Sequence, residues 1–423
     1  MNRYLEDIID FTTGFIKRKG VYILLAIIVS RIFSFLLTIF LSNSVNTESF
    51  GNISYAYNII SFIAPFAGFG IFQSLNRYGP ITASQNQKKT LFQFVITRGS
   101  VASIFIVALI IIFSTLLTSP LPESNKYLMI LSLFILNYFI FEVIKIYFRV
   151  YNINKLFAYL EIGHSLLTLL LGVTLTYFFN GTGYIVALVT SPLIISIFML
   201  VKYKMLSQTT TNNYSKEHKK SLWSYGIYTS LGGLISQLIF SVDILTIGFI
   251  IQNPREVGLY KAASLVPFSL LFIPIGVMKT DLVKITQNYQ NSAFLKNYVS
   301  NYLKIFIPIS LVVFFSLYLL AEFIMLLFGD DYANGAPLIT VFAFGLIGAF
   351  LFRNPFGNII TCVGWSKTNT IISVITLLLD VPLNIFLIQE YGIIGAAYAT
   401  AILLWVAGLA SYIAFLKYLN SLN

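Results

Sequence analysis

Charge is scarce in this sequence. Asp, Glu, Lys and Arg make up 10% of its 423 residues, where a soluble domain usually carries about 25%. A water-exposed globular surface cannot be built from so few ionic groups, so most of the surface must face something apolar. Cysteine is nearly absent: Cys362 is the only one, which excludes a disulfide framework and a multi-cysteine metal site. The two histidines, His164 and His218, lie far apart in sequence and do not form a His/Asp catalytic cluster. No Gly-x-x-x-x-Gly-Lys-Ser/Thr pattern occurs, and no soluble domain is present to hold a nucleotide. No cofactor is implied. A cleavable signal is not evident either, because the first twenty residues are polar and the first apolar run is too long for a signal core.

What the chain has is apolar length. Hydrophobic residues make up 57% of it, and a span needs roughly 20 of them to cross about 30 Å of hydrocarbon. Twelve runs qualify: 21–41, 50–75, 97–118, 127–148, 156–180, 183–203, 222–251, 258–284, 302–328, 335–363, 367–389 and 392–418. The fifth and sixth are separated only by the glycines at 181–183. With both ends in the cytoplasm, alternate segments hold 21 Lys and Arg on the inside and 3 on the outside, while Arg31, Lys145 and Arg353 fall within spans. Positive residues accumulate in cytoplasmic loops, and a missed span would scramble this split. The net charge of +11 therefore encodes topology and not nucleic-acid binding. No outside loop is long enough to hold the catalytic groups of a membrane glycosyl- or acyltransferase. The expected organisation is an all-α integral membrane protein with an N-terminal six-helix lobe over 1–205, a cytoplasmic linker over 206–221 and a C-terminal six-helix lobe over 222–423.

The halves echo each other in order. Glu48-Ser-Phe-Gly51 opens span 2 with Ala56 five residues on, and Glu256-Val-Gly258 opens span 8 with Ala263 five on. Asn152-Ile-Asn-Lys155 and Gly364-Trp-Ser-Lys367 link spans 4–5 and 10–11. Gly183 with Ala187 opens span 6, and Gly395 with Ala399 opens span 12. An offset of six spans makes the repeats parallel, related by an axis along the membrane normal.

Three stretches carry a family resemblance: Glu256-Val-Gly-Leu-Tyr-Lys-Ala-Ala263 after Asp243, Phe328-Gly-Asp-Asp-Tyr-Ala333, and Tyr391-Gly-Ile-Ile-Gly-Ala-Ala-Tyr-Ala-Thr400. They resemble signatures of Wzx-type flippases for O-antigen or capsule repeat units. These belong to the multidrug/oligosaccharidyl-lipid/polysaccharide exporter superfamily, which includes the MATE transporters. The resemblance implies two six-helix lobes, a central cavity, and movement of an undecaprenyl-diphosphate-linked oligosaccharide between leaflets of a bacterial inner membrane. Membrane lipids and a polysaccharide polymerase are the implied neighbours. Relatives that flip the peptidoglycan precursor usually have fourteen spans, against twelve here.

Charged residues inside the membrane cost about 2.5–3.5 kcal/mol each on insertion scales and so face protein or water. Arg31 lies about 15 Å into span 1, either as a cavity-facing cation or in a structural ion pair. Arg353 precedes Asn354-Pro355 in span 10, where proline frees backbone groups. Glu142, Lys145 and Arg149 share one helical face and read as an ion-paired ladder or as anion ligands. Lys261 sits one turn into span 8, where it either snorkels or meets substrate. Arg suits a diphosphate because its fork donates paired hydrogen bonds. Arg31, Arg353, Lys145, Arg149 and Lys261 are the candidate substrate-binding residues. Asp243 and Asp380 are the candidates for proton or Na⁺ coupling, with pairing to Arg31 or Arg353 as the alternative. Glu161 and His164 form a further pair one turn apart. A multidrug/cation antiporter of the same superfamily is the competing reading, but it calls for an acid in span 1, where this chain has Arg31.

Overall fold

The computed structural model describes residues 20–82, 84–116, 120–151, 153–207 and 215–422. Residues 208–214 of the 206–221 linker, the first inside segment with Arg3, Lys17, Arg18 and Lys19, and Asn152 of the 4–5 link lie outside the described residues, while 216–221 form the first turns of α7. Every regular element described is helical: α1 Gly20–Ser44, α2 Thr47–Ile63, a 3₁₀ turn Ala64–Gly70, α3 Ile71–Ile81, α4 Gln85–Leu116, α5 Ser124–Val150, α6 Asn154–Lys202, α7 Lys216–Ile250, α8 Pro254–Ser269, α9 Phe272–Gln287, α10 Ser292–Leu326, a 3₁₀ turn Asp330–Gly335, α11 Ala336–Gly348, a π turn Ala349–Arg353, α12 Asn354–Cys362, α13 Ser366–Tyr391 and α14 Ile393–Asn420. A bilayer leaves little choice, since only a helix or a closed barrel satisfies its own backbone in hydrocarbon.

Among the described residues, nine helices are long and apolar enough to cross a membrane, and two shorter apolar helices occupy Ile28–Ser44 and Ser241–Ile250. One of the nine, Lys155–Lys202, has 48 residues. At 1.5 Å per residue it is about 72 Å long, more than two hydrocarbon thicknesses. It breaks at Asn180 (φ 52°, ψ −141°) and so supplies two spans. The two shorter apolar helices lie within α1, of 25 residues, and α7, of 35, so the described residues supply twelve spans when these are counted. Large apolar side chains stay exposed on the outer faces, Leu319 at 75% and Leu378 at 68%, as a lipid-facing surface requires.

The chain forms two compact units. One comprises 1–46 and 56–237; the other comprises 47–55 and 238–423. Helices α2 and α7 therefore each contribute to both. In the first unit α6 packs on α1 and α5, and α4 on α5. In the second, α14 packs on α13, α11 and the π turn. Its buried face is built of small residues, among them Ala397, Ala401, Ala407, Gly408 and Ser411, which lets helices approach closely without a hydrophobic drive.

The internal repeat extends to the backbone. Asn180 stands three residues before Gly183, and Gly392 (φ 65°, ψ −147°) stands three before Gly395. The two positions thus share one unusual conformation at equivalent places. Spans 2 and 8 both break mid-course, after 17 residues of α2 and 16 of α8, next to Pro65 and Pro267 respectively. Within the second unit, the first turns of α2 and α8 meet reciprocally. A Cβ on Gly51 would collide with the Pro254 carbonyl, and one on Gly258 would come within 2.9 Å of the Thr47 carbonyl. Each glycine lies four residues after the residue its counterpart touches, which is the relation a two-fold axis creates.

Candidate functional site

The second unit holds a buried acidic centre. Asp243 comes from α7, Asp380 and Asn384 from α13, Tyr260 from α8 and Thr400 from α14. Asp380 and Asn384 are four apart and so share one helix face, on either side of Pro382. The Asn384 Nδ2 donates to Asp243 Oδ1 at 2.9 Å and to Asp380 Oδ1 at 2.7 Å. The Tyr260 and Thr400 hydroxyls donate to Asp243 Oδ2 at 2.5 and 2.6 Å. Asp243, Asp380 and Asn384 are 4%, 3% and 0% exposed. Neither carboxylate pairs with Arg31 or Arg353, and among the described residues neither has a basic partner within 4.0 Å. The Asn384 Oδ1 is buried with no hydrogen-bond partner. Two carboxylates, an amide oxygen with free lone pairs and a hydroxyl are hard oxygen donors, the set that suits a small monovalent cation or a proton.

Arg353 lies elsewhere in the same unit. It ends the π turn, and close packing of Gly408 against its backbone nitrogen, where a Cβ would fall 3.0 Å away, presses the turn onto α14. Its guanidinium donates to Ser373 Oγ at 2.8 Å, Asn369 Oδ1 at 3.0 Å and Ser411 Oγ at 3.5 Å. All three are neutral acceptors, so they orient the fork without cancelling its charge. Lys261, half-buried in α8, has no carboxylate partner among the described residues.

In the first unit Arg31 is exposed on α1, near enough to Tyr57 for its charge to act on that hydroxyl. It too has no ion-pair partner among the described residues. Its neighbour Ser30 is tied to α6 through the Glu161 carbonyl at 3.2 Å and the Ser165 hydroxyl at 3.0 Å, which fixes the register of α1. Lys145 is 8% exposed and sits between Glu142 Oε1 at 2.7 Å and Glu161 Oε2 at 2.8 Å. Arg149, four residues on, is exposed and stands outside this group. The ladder and the Glu161–His164 pair read separately from sequence are thus one cluster.

Sequence reasoning missed Tyr260, Asn384 and Thr400. Tyr260 and Thr400 lie inside the stretches that carry the family resemblance. Asn384 lies one turn after Asp380, a spacing that flags it only when the acid is already suspected.

The long apolar helices, the backbone break repeated at Asn180 and Gly392, and the buried polar centres define a multi-pass membrane fold. Solved structures agree: the lipid II flippase MurJ in an inward closed conformation aligns with TM-score 0.72 at 19% identity, over 94% of this chain and 89% of its own. An inward-facing MATE multidrug transporter gives 0.73 at 16%, over 93% and 95%. A MOP-superfamily transporter from Pyrococcus furiosus gives 0.64 at 17%, over 96% of each chain. An uncharacterized membrane protein of Methanocaldococcus jannaschii is 22% identical over 92% of this chain and 82% of its own. The model of the polysaccharide biosynthesis protein family matches residues 36–337, and the chain belongs to that family.

Proposed function

We propose that this protein is a flippase for an undecaprenyl-diphosphate-linked oligosaccharide repeat unit. It carries the unit from the cytoplasmic to the outer leaflet by alternating access, with a proton or Na⁺ bound at Asp243 and Asp380 as the coupling ion. The observation that carries this reading is the set of unneutralised cations. Arg31, Arg353 and Lys261 lie within spans with no carboxylate partner among the described residues, and an unpaired charge in the membrane persists where a ligand of opposite sign visits it. A diphosphate supplies about two negative charges and the paired acceptors that a guanidinium fork fits. The family match to polysaccharide biosynthesis proteins supports a glycan cargo. A cation exporter is disfavoured by the same residues, since span 1 presents Arg31 and no acid.

In this reading the protein sits in a bacterial inner membrane with both termini cytoplasmic, and the 206–221 segment joins two six-helix lobes. Reporter fusions active only in the periplasm should be bright at Asn180 and dark at Asn423. The functional test is restoration of surface glycan in a flippase-null strain. Arg31→Ala should abolish it while the protein still accumulates in the membrane, and Arg31→Lys should retain part of it. Full activity of the alanine variant removes the phosphate-binding role.

A further inference from the structure

The π turn that carries Arg353 has an identifiable cause. Pro355 has no N–H, and in a regular α-helix its ring would clash with the carbonyl four residues back, that of Leu351. The chain adds one residue to the turn instead, and the Asn354 N–H reaches back five residues to the Ala349 carbonyl. In that register the next bond would run from the N–H of residue 355 to the Phe350 carbonyl, and proline cannot make it. Tyr302 on α10 supplies the missing donor: its hydroxyl bonds the Phe350 carbonyl at 2.8 Å in a buried contact. The Asn354 side chain adds a second bond to the Ala349 carbonyl at 3.1 Å. Two helices therefore hold the turn, α10 through Tyr302 and α14 through the close approach of Gly408.

The guanidinium at the end of this turn also needs room. It lies over Gly357, a buried glycine four residues on along α12. A Cβ there would fall 2.5 Å from Arg353 Nη1 and 3.4 Å from Asn369 Oδ1. Glycine inside a helix is less favourable than alanine, so this position gives up helix stability and gains space for the fork. Nη1 then donates to Asn369 and Ser411, and Nη2 to Ser373. Among the described residues none accepts from Nε–H. The edge it shares with Nη2 is the part of the fork left for an anion that offers two oxygens.

We propose that Tyr302 and Gly357 are positioning residues for Arg353. Tyr302 holds the register of the π turn, Gly357 leaves room for the guanidinium against Asn369, and together they fix a half-open fork that grips a phosphate of the lipid-linked substrate. Affinity for the diphosphate then depends on where the charge is held and not on the charge alone. The grip on substrate rests on the reading of Arg353 as a phosphate ligand; the seating of the guanidinium does not.

Nitrogen NMR of the full-length protein labelled at its arginine guanidinium groups reads the seating, the Arg353 signal being the one lost in Arg353→Lys. A held guanidinium shows two Nη environments, and a freely rotating one shows a single average. The wild type should show two. Gly357→Ala should show one, with a Tm no lower than the wild type's, because alanine favours the helix and only the tip of a flexible side chain has to move. Tyr302→Phe should show one as well. Two environments retained in either variant overturn positioning by the residue it replaces, and a single average in the wild type overturns the proposal outright. Calorimetry with inorganic pyrophosphate reads the consequence. Gly357→Ala should weaken binding about tenfold or more, as loss of a hydrogen bond to a charged group does, and should have no further effect in an Arg353→Ala background. Equal weakening in that background overturns the positioning role. Pyrophosphate that binds the wild type and Arg353→Ala alike, or binds neither, while the wild type keeps two Nη environments, overturns Arg353 as a substrate ligand and leaves its seating by Tyr302 and Gly357 standing.

Discussion

Asp380→Asn is the substitution whose effect follows most directly from the geometry. Asp243 Oδ1 and Asp380 Oδ1 touch the same Asn384 nitrogen, at 2.9 and 2.7 Å. They are therefore separated by no more than the sum of those distances, about 5.6 Å, and two unit charges there repel by roughly 3 kcal/mol at an effective dielectric of about 20. Three hydrogen bonds to Asp243 reduce the cost of ionising it, but none reaches a cation. A bound proton or Na⁺ removes the repulsion. Asparagine at 380 removes it permanently while keeping an acceptor oxygen for the Asn384 amide. Thermal unfolding in detergent should then show two changes. The variant should be more stable than the wild type in Na⁺-free medium at neutral pH, by up to those roughly 3 kcal/mol. It should also lose the ligand response. A cation at one hundred times its Kd stabilises the wild type by about 2.7 kcal/mol, a rise of a few degrees in Tm. An equal rise in Asp380→Asn, whether from Na⁺ replacing choline at constant ionic strength or from a lowered pH, would refute this assignment.

Further outcomes follow from other contacts. Lys145→Gln leaves Glu142 and Glu161 without their counter-ion and should cost about 3–5 kcal/mol; most of that should return in Lys145→Gln/Glu161→Gln, and simple additivity in denaturant unfolding would contradict a coupled cluster. Gly51→Ala drives a Cβ into the Pro254 carbonyl and should destabilise the protein by about 1–3 kcal/mol, read as a lower Tm; an unchanged Tm would mean the α2–α8 contact is absent in solution. Arg353→Lys keeps the charge but loses the fork held by Asn369 and Ser373. It should retain membrane levels yet restore less surface glycan than the wild type, and full restoration would show that charge alone suffices there.

Much of this was legible in the sequence because a bilayer converts composition into architecture. A run such as 302–328 must be a helix, as α10 over Ser292–Leu326 is. The repeat was legible through Gly183 and Gly395, since those glycines mark turns that the backbone makes twice. Arg31, Arg353, Asp243 and Asp380 stood out as charges in apolar runs. Partnership was not legible. Asp243 and Asn384 are 141 residues apart and Arg353 and Ser411 are 58 apart, and no local pattern links them. The mixed polarity of the Lys145 region suggested a ladder along α5, because spacing of three and four reports only neighbours on one helix. The second carboxylate comes from α6, across a helix–helix contact that periodicity does not encode. Pro65 and Pro267 stand at the breaks within spans 2 and 8, but proline alone does not distinguish a kink from an interruption.

Transport measured in proteoliposomes tests the central claim, that the unneutralised arginines carry a diphosphate-linked glycan across the membrane. The assay follows exposure of a fluorescent undecaprenyl-diphosphate oligosaccharide to a membrane-impermeant quencher. The wild type should make it accessible faster than protein-free vesicles, with an imposed Na⁺ or proton gradient changing the rate. Arg31→Ala/Arg353→Ala should be no faster than protein-free vesicles. Equal rates for the double variant and the wild type, or for a neutral polyprenyl lipid and the diphosphate, would contradict the account.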